Sequence, residues 1–205
     1  MKIMNLLRVG VIISLLLLFS QNLFAQNFIL SDDGLIDSRA KEKINQIGDE
    51  TKEKLGVNIY IYAKSELGLD KNIKLKDKLA FIKNYESQIV DTLDKPYVLL
   101  TMSAADTHVN LIFSDSKHTT IDTHDILDGY VVPLLASKDK NTLFSKVSAS
   151  MLNGYAAIAD TMAESKNIKL ESSIGNAGKI SGTIWRVFMY TMVVLGLLAY
   201  TYAVL

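Results

Sequence analysis

The chain has 205 residues, with 22 Lys and Arg, 22 Asp and Glu and no cysteine, so its formal net charge is zero. These counts exclude a disulfide framework, thiolate metal ligands and a cysteine nucleophile. The balanced charge also provides no basic surface for nucleic acid or for an anionic membrane. The length allows one ordinary domain with appended segments.

Residues 1–25 have the layout of a secretory signal peptide. Lys2 and Arg8 precede an apolar run, and a polar break leads to Ala25, after which cleavage is expected. Leu23 stands where a small residue is usual, so an uncleaved N-terminal anchor is the alternative. Either form predicts export of the residues that follow.

The domain predicted for residues 26–165 begins with a helix and a strand. Apolar residues recur at three- and four-residue steps over 36–55, with Asp37 as the expected cap and Gly56 just past the end. The next segment, VNIYIYA, alternates apolar and polar positions and predicts a strand. Because one glycine separates the two, helix and strand must run antiparallel.

The following segments predict a mixed sheet. A second helix between Leu75 and Leu93 leads to YVLLTMS, which is apolar on both faces and is typical of a central strand. A strand, helix, strand unit of this length predicts a parallel pair with a right-handed crossover. The linker AAD is too short for another crossover, so THVNLIFSD is expected to return antiparallel.

Two further helices are predicted in residues 125–136 and 142–165, and Pro133 should kink the first or mark its true start. The predicted fold class is therefore α/β, with a small mixed β-sheet sandwiched by helices. Residues 166–182 contain several Ser and Gly and few large apolar side chains, which is typical of a flexible tether.

Residues 183–205 predict one C-terminal transmembrane helix. The run from 187 to 205 is uncharged and about long enough for a helix to cross roughly 30 Å of hydrocarbon. Trp185 and Arg186 precede this run and Tyr200 and Tyr202 lie near its end, as interface anchors would. Because the N-terminal signal should dominate the topology, we expect a bacterial inner-membrane protein with its soluble domain in the periplasm.

Three segments together resemble the TPM domain family. They are ILSDDGLIDSRAKEKINQIGDETKEKLGVNIYIYAKSELG, PYVLLTMSAADTHVNLIFSD and ILDGYVVPLLASKDKNTLFSKVSASMLNGYAAIAD, and the likeness covers residues 28–165. The resemblance implies a TPM-like fold, export with a signal peptide and a C-terminal membrane anchor. It also implies a role in assembly, repair or quality control of membrane proteins and, in some members, divalent-metal binding and phosphatase activity.

The stretch FSDSKHTTIDTHDILDGY contains the candidate metal site. Asp122 or Thr123 as a helix cap, with Asp125 in the first turn, would explain its composition structurally. The alternative is an oxygen site for Ca²⁺ or Mg²⁺. Its predicted ligands are Asp115, Asp122, Asp125 and Asp128. His118 and His124 would suit Zn²⁺ better, but they do not form a pair at helical ligand spacing.

A second acidic group surrounds the start of the first helix. The predicted topology places Asp32, Asp33 and Asp37 near Ser65, at the opposite end of the sheet from the loop after THVNLIFSD. Helix capping explains these carboxylates, and a hard-cation site is the alternative. His108 lies on a predicted strand, and we expect it to be a surface or core histidine whose hydrogen-bonding groups are satisfied.

We favour a non-enzymatic function, because the sequence has no GxSxG elbow and no phosphate-binding loop. The expected function is that of a membrane-anchored accessory or chaperone-like protein. It would assist assembly, stability or quality control of a membrane protein complex, with the bilayer and that complex as partners. The alternatives are a divalent-metal-dependent phosphatase and a purely structural envelope component.

Overall fold

The computed structural model describes residues 26–70, 72–115, 121–175 and 190–191. The predicted signal peptide and almost all of the predicted transmembrane segment lie outside these residues. Among the residues described, no helix is both long and apolar enough to cross a membrane.

The described elements alternate between strands and helices. The strands are β1 (Ile29–Ser31), β2 (Asn58–Lys64), β3 (Tyr97–Ser103) and β4 (His108–Phe113). The helices are α1 (Ser38–Leu55), α2 (Leu75–Val90), α3 (Thr123–Ile126), α4 (Val132–Leu135) and α5 (Leu143–Ser165), with a π-helical turn, Leu127–Val131, between α3 and α4.

The four strands form one mixed sheet in the order β1-β2-β3-β4. β2 is parallel to β3, and β4 returns antiparallel to β3, which confirms the predicted strand directions. β1 is parallel to β2 and was not predicted, because three residues are too few to show a period of two. We call the end where β2 and β3 finish, at Lys64 and Ser103, the carboxyl end of the sheet, and the other end the amino end.

Helices cover both faces of this sheet, as expected for the α/β class. On one face, the Tyr155 hydroxyl of α5 donates to the Ile59 carbonyl at 2.9 Å, and α1 packs beside α5. On the other face, Glu86 of α2 accepts a hydrogen bond from Thr101 of β3 at 2.6 Å. The alternation of β-strand side chains thus divides the sheet residues between two helical layers.

The predicted boundaries of α1 are confirmed. Asp37 Oδ1 accepts from the Ala40 N–H at 2.9 Å, which satisfies one of the unpaired donors at the helix start. Gly56 has φ 71°, a left-handed conformation that a side chain would strain, and its N–H bonds to Lys52. Pro133 lies in α4, but the helical run begins at Thr123 and continues through the π-helical turn, so this proline does not mark the start of the predicted helix.

Gln26 and Lys166 both lie near the amino end of the sheet. Gln26 Nε2 donates to Asn58 Oδ1, at the start of β2, at 3.2 Å. Residues 166–175, whose composition predicts the start of a tether, pack against α1 and α5, with Leu170 only 5% exposed. Glu50 of α1 accepts from the N–H groups of Glu171 and Ser172, both at 2.7 Å.

We expect this attachment of the C-terminal segment to depend on pH. Burial opposes ionisation of Glu50, but its hydrogen bonds from Lys54, Ser172 and Glu171 lower its pKa from 4.5 to about 2. A lowered folded-state pKa stabilises the attachment above pH 4.5, and this contribution is lost as pH falls toward about 2. The amide resonances of Glu171 and Ser172 should therefore titrate near pH 2 in an NMR titration. In Glu50→Gln this titration should be absent, and an unshifted midpoint near 4.5 in the unsubstituted protein would contradict the expectation.

Candidate functional site

The most buried acidic side chain on the α2 face of the sheet is Glu86, which is 8% exposed. Its Oε1 accepts from Thr101 Oγ1 at 2.6 Å and from His108 Nε2 at 2.8 Å. Its Oε2 accepts from Asn110 Nδ2 at 2.9 Å. One carboxylate therefore joins α2 to both β3 and β4.

The three donors keep this carboxylate ionised. Burial raises the pKa of Glu86, but the hydrogen bonds from His108, Thr101 and Asn110 outweigh burial and hold the pKa below its ordinary value. His108 is thus a satisfied histidine, as predicted. The sequence reasoning did not select Glu86, although a carboxylate one helical turn after Ile82 on the apolar stripe was the available signal.

The residue types of a hydrolytic triad meet at this point, because Ser103 is the direct cross-strand partner of His108. However, Ser103 Oγ donates to Asp106 Oδ2 at 2.5 Å, and Ser103 is 1% exposed. The cavity among these side chains has a volume of about 10 Å³, which is at most enough for one water. In this arrangement the group is a structural network with no room for a substrate.

The acidic residues near the start of α1 lie at the carboxyl end of the sheet, as predicted. Asp33 Oδ1 pairs with Lys64 Nζ at 2.8 Å, and its Oδ2 accepts from the Ser65 N–H at 3.0 Å. The bond from Lys64, followed by that from Ser65, lowers the pKa of Asp33. Asp32 pairs with Lys41 at 2.7 Å. These bonds, with Asp37 capping α1, agree with the structural interpretation of the group.

The four predicted metal ligands lie in different elements: Asp115 follows β4, Asp122 caps α3, Asp125 belongs to α3 and Asp128 to the π-helical turn. Asp122 caps α3 by accepting from the His124 N–H at 2.8 Å, and Asp125 and Asp128 are exposed. Asp115 lines a groove of about 460 Å³ at the amino end of the sheet. Within the described ranges, no three His, Asp or Glu side chains are grouped so that they could hold a metal ion. His118 lies outside the described residues. The Ca²⁺ or Mg²⁺ site stays a prediction.

Large exposed apolar side chains occur at the carboxyl end of the sheet in both helical layers. We call them the apolar end surface; they are Leu75, 70% exposed, Leu79, 55%, Leu143, 51%, and Phe144, 43%. The N-terminal half of α2 reaches the β3–β4 turn, where Lys78 Nζ donates to the Asp106 carbonyl at 2.6 Å. The start of α5 is placed at the same end by Ser148 Oγ, which accepts from the Asp37 N–H at 2.9 Å. The pair on α2 and the pair on α5 lie in the two helical layers, on opposite faces of the sheet, and such exposed apolar groups form interaction surfaces where they are contiguous.

The sequence matches no protein-family model and no curated protein. Among solved structures, the chain is similar to the NMR structure of BA42 protein from the psychrophilic bacterium Bizionia argentinensis sp. nov.. The identity is 13% and the TM-score is 0.39, with 68% of this chain and 94% of that chain covered. A likeness at this level carries no functional inference.

Proposed function

We propose that the chain is a membrane-anchored, TPM-like accessory protein that assists assembly, stability or quality control of a membrane protein complex. Its soluble domain lies in the periplasm and is held by the C-terminal helix. The proposal concerns a binding function, in which the domain recognises a protein surface rather than converting a substrate.

The placement of the chain ends relative to the apolar end surface supports this proposal. Gln26 and the segment that includes Ser172 lie toward the amino end of the sheet, from which the anchor sequence continues. Leu75, Leu79 and Phe144 are exposed at the carboxyl end. A domain tethered at its amino end therefore presents its apolar end surface away from the attachment point, where a partner can reach it.

Substitution in the apolar end surface tests this binding function. We expect Leu75→Ser with Leu79→Ser to reduce recovery of a membrane partner from detergent-solubilised membranes about tenfold, or roughly 1.4 kcal/mol. The midpoint of thermal unfolding should hardly change, because both side chains are more than half exposed.

Lys83→Ser is the matched control, because Lys83 is also exposed on α2 but is not part of the apolar end surface. It should leave recovery unchanged. Repeated failure of the unsubstituted chain to recover any membrane partner would count against the proposed function. Equal recovery by the double variant and the control would show that the apolar end surface does not bind the partner.

A further inference from the structure

The two edges of the sheet are built differently. β1 has three residues, and its register against β2 shifts between Ile29 and Ser31. β4 has six residues in unbroken register with β3 and contains no Lys, Arg, Asp, Glu or Pro. Short strands, irregular register and charged side chains are the devices by which proteins block pairing at a sheet edge. β1 has two of these devices and β4 has none.

The outer backbone groups of β4 can be identified from its pairing. Ser114 N–H donates to the Tyr97 carbonyl at 3.0 Å, so residues 108, 110 and 112 direct their backbone groups toward β3. Val109, Leu111 and Phe113 direct theirs outward. Asn110 Oδ1 accepts from the Leu111 N–H at 2.9 Å. The outward N–H groups of Val109 and Phe113 have no hydrogen-bond partner within the described part of the chain.

We infer that the outer edge of β4 binds an extended segment of the partner membrane protein, which adds to the sheet as a fifth strand. This inference rests on the proposed function and adds a second contact surface to the apolar end surface. On one face of the sheet the added strand would lie beside the side chains of Val109, Leu111 and Phe113. The expected segment therefore has apolar residues at alternate positions, and its backbone supplies the hydrogen bonds.

The position of the chain ends argues against a second copy as the occupant. Two β4 strands related by a two-fold axis pair antiparallel, which turns one domain end over end relative to the other. Gln26 and Lys166 of one copy would then lie at the opposite end of the joined sheet from those of the other copy. The proposed anchors belong to one bilayer, so a segment from another protein fits the site better.

Asn110 sets the strength of this docking. Its carboxamide is held by Glu86 Oε2 at 2.9 Å and covers the Leu111 N–H, so an added strand must displace it. Docking replaces the side-chain bond with a backbone bond, and the net gain comes from the bonds to Val109 and Phe113. This exchange favours a complex that can be released.

Val109→Pro tests the inference in the full-length chain. Proline removes the outward N–H and is tolerated at an edge position, because the N–H groups that pair with β3 belong to neighbouring residues. Val109→Thr is the matched control, since it keeps both the N–H and the β-branched shape. We expect Val109→Pro to recover roughly tenfold less of the membrane partner and Val109→Thr to match the unsubstituted chain.

The outcomes separate the inference from the proposed function. Equal recovery by Val109→Pro and Val109→Thr overturns edge docking and leaves the accessory function standing. If the unsubstituted chain recovers no membrane partner, both are overturned, because the occupant of the edge is that partner.

A second measurement needs no substitution in the chain. The probe is a capped peptide of alternating Thr and Val, and its control is the same peptide with alternate backbone amides methylated. In the unsubstituted full-length chain, amide exchange at Val109 and Phe113 should slow roughly tenfold with the probe and stay unchanged with the methylated control. Exchange that is unaffected by the probe overturns edge docking.

Discussion

Replacing Tyr155 with alanine is expected to lower the free energy of unfolding by about 4 kcal/mol. Tyr155 is 0% exposed, and its hydroxyl donates to the Ile59 carbonyl at 2.9 Å. The substitution removes a fully buried ring between α5 and the sheet and leaves a cavity that the surrounding helices can fill only in part. Chemical denaturation measures the change as a shift in midpoint with little change in slope.

Tyr155→Phe is the matched control for this prediction. It keeps the ring and removes only the hydroxyl, so it is expected to cost about 1 to 2 kcal/mol through the unpaired Ile59 carbonyl. A loss below about 1 kcal/mol for Tyr155→Ala would show that the packing of α5 on the sheet contributes little to the free energy of unfolding.

The ring of Tyr155 also explains why α1 has a glycine, Gly48, in its interior, which the helical pattern alone does not explain. A Cβ at Gly48 of α1 would lie 2.4 Å from Tyr155 Oη and from Phe28 Cδ2. Glycine in a helix interior usually costs about 1 kcal/mol relative to alanine, and here it permits close packing of α1 on these rings.

The parts of the fold that could be predicted depend on local sequence. The cap at Asp37 and the left-handed Gly56 follow from residue preferences at helix ends. The directions of β2, β3 and β4 follow from connection lengths, because the four-residue turn 104–107 cannot cross over a sheet. These signals depend on a few neighbouring residues, so they can be recognised without knowledge of the tertiary structure.

The features that were missed depend on contacts between distant residues. Glu86 becomes a network centre only when α2 lies over His108 and Asn110, which are more than 20 positions further along the chain. Residues 166–175 have the composition of a tether, but Glu171 and Ser172 within them are fixed by Glu50, which is over 120 positions earlier. Asp122 could be predicted as a cap because capping is local, whereas grouping of the four aspartates into a metal site depends on the path of the loop.

Replacing Glu86 with alanine is expected to destabilise the protein by about 3 kcal/mol. Thr101, His108 and Asn110 would all lose their common acceptor, and Thr101 is only 4% exposed, so water can replace that acceptor only in part. Glu86→Gln retains one acceptor oxygen and is expected to lose about half as much. Equal stability of all three proteins in chemical denaturation would contradict the assignment of Glu86 as the link between α2 and strands β3 and β4.

The pH dependence of the stability difference between the unsubstituted protein and Glu86→Gln gives an independent check. The folded-state pKa of Glu86 is lowered from 4.5, so the carboxylate contributes stability above that value and loses it as pH falls through the folded-state pKa. The stability difference from Glu86→Gln should therefore shrink below pH 4.5. Because Glu86 also holds the Asn110 carboxamide over the Leu111 N–H, Glu86→Ala should speed amide exchange at Leu111. An interior substitution would then expose the middle of the β4 edge, which couples the buried network to the proposed docking surface.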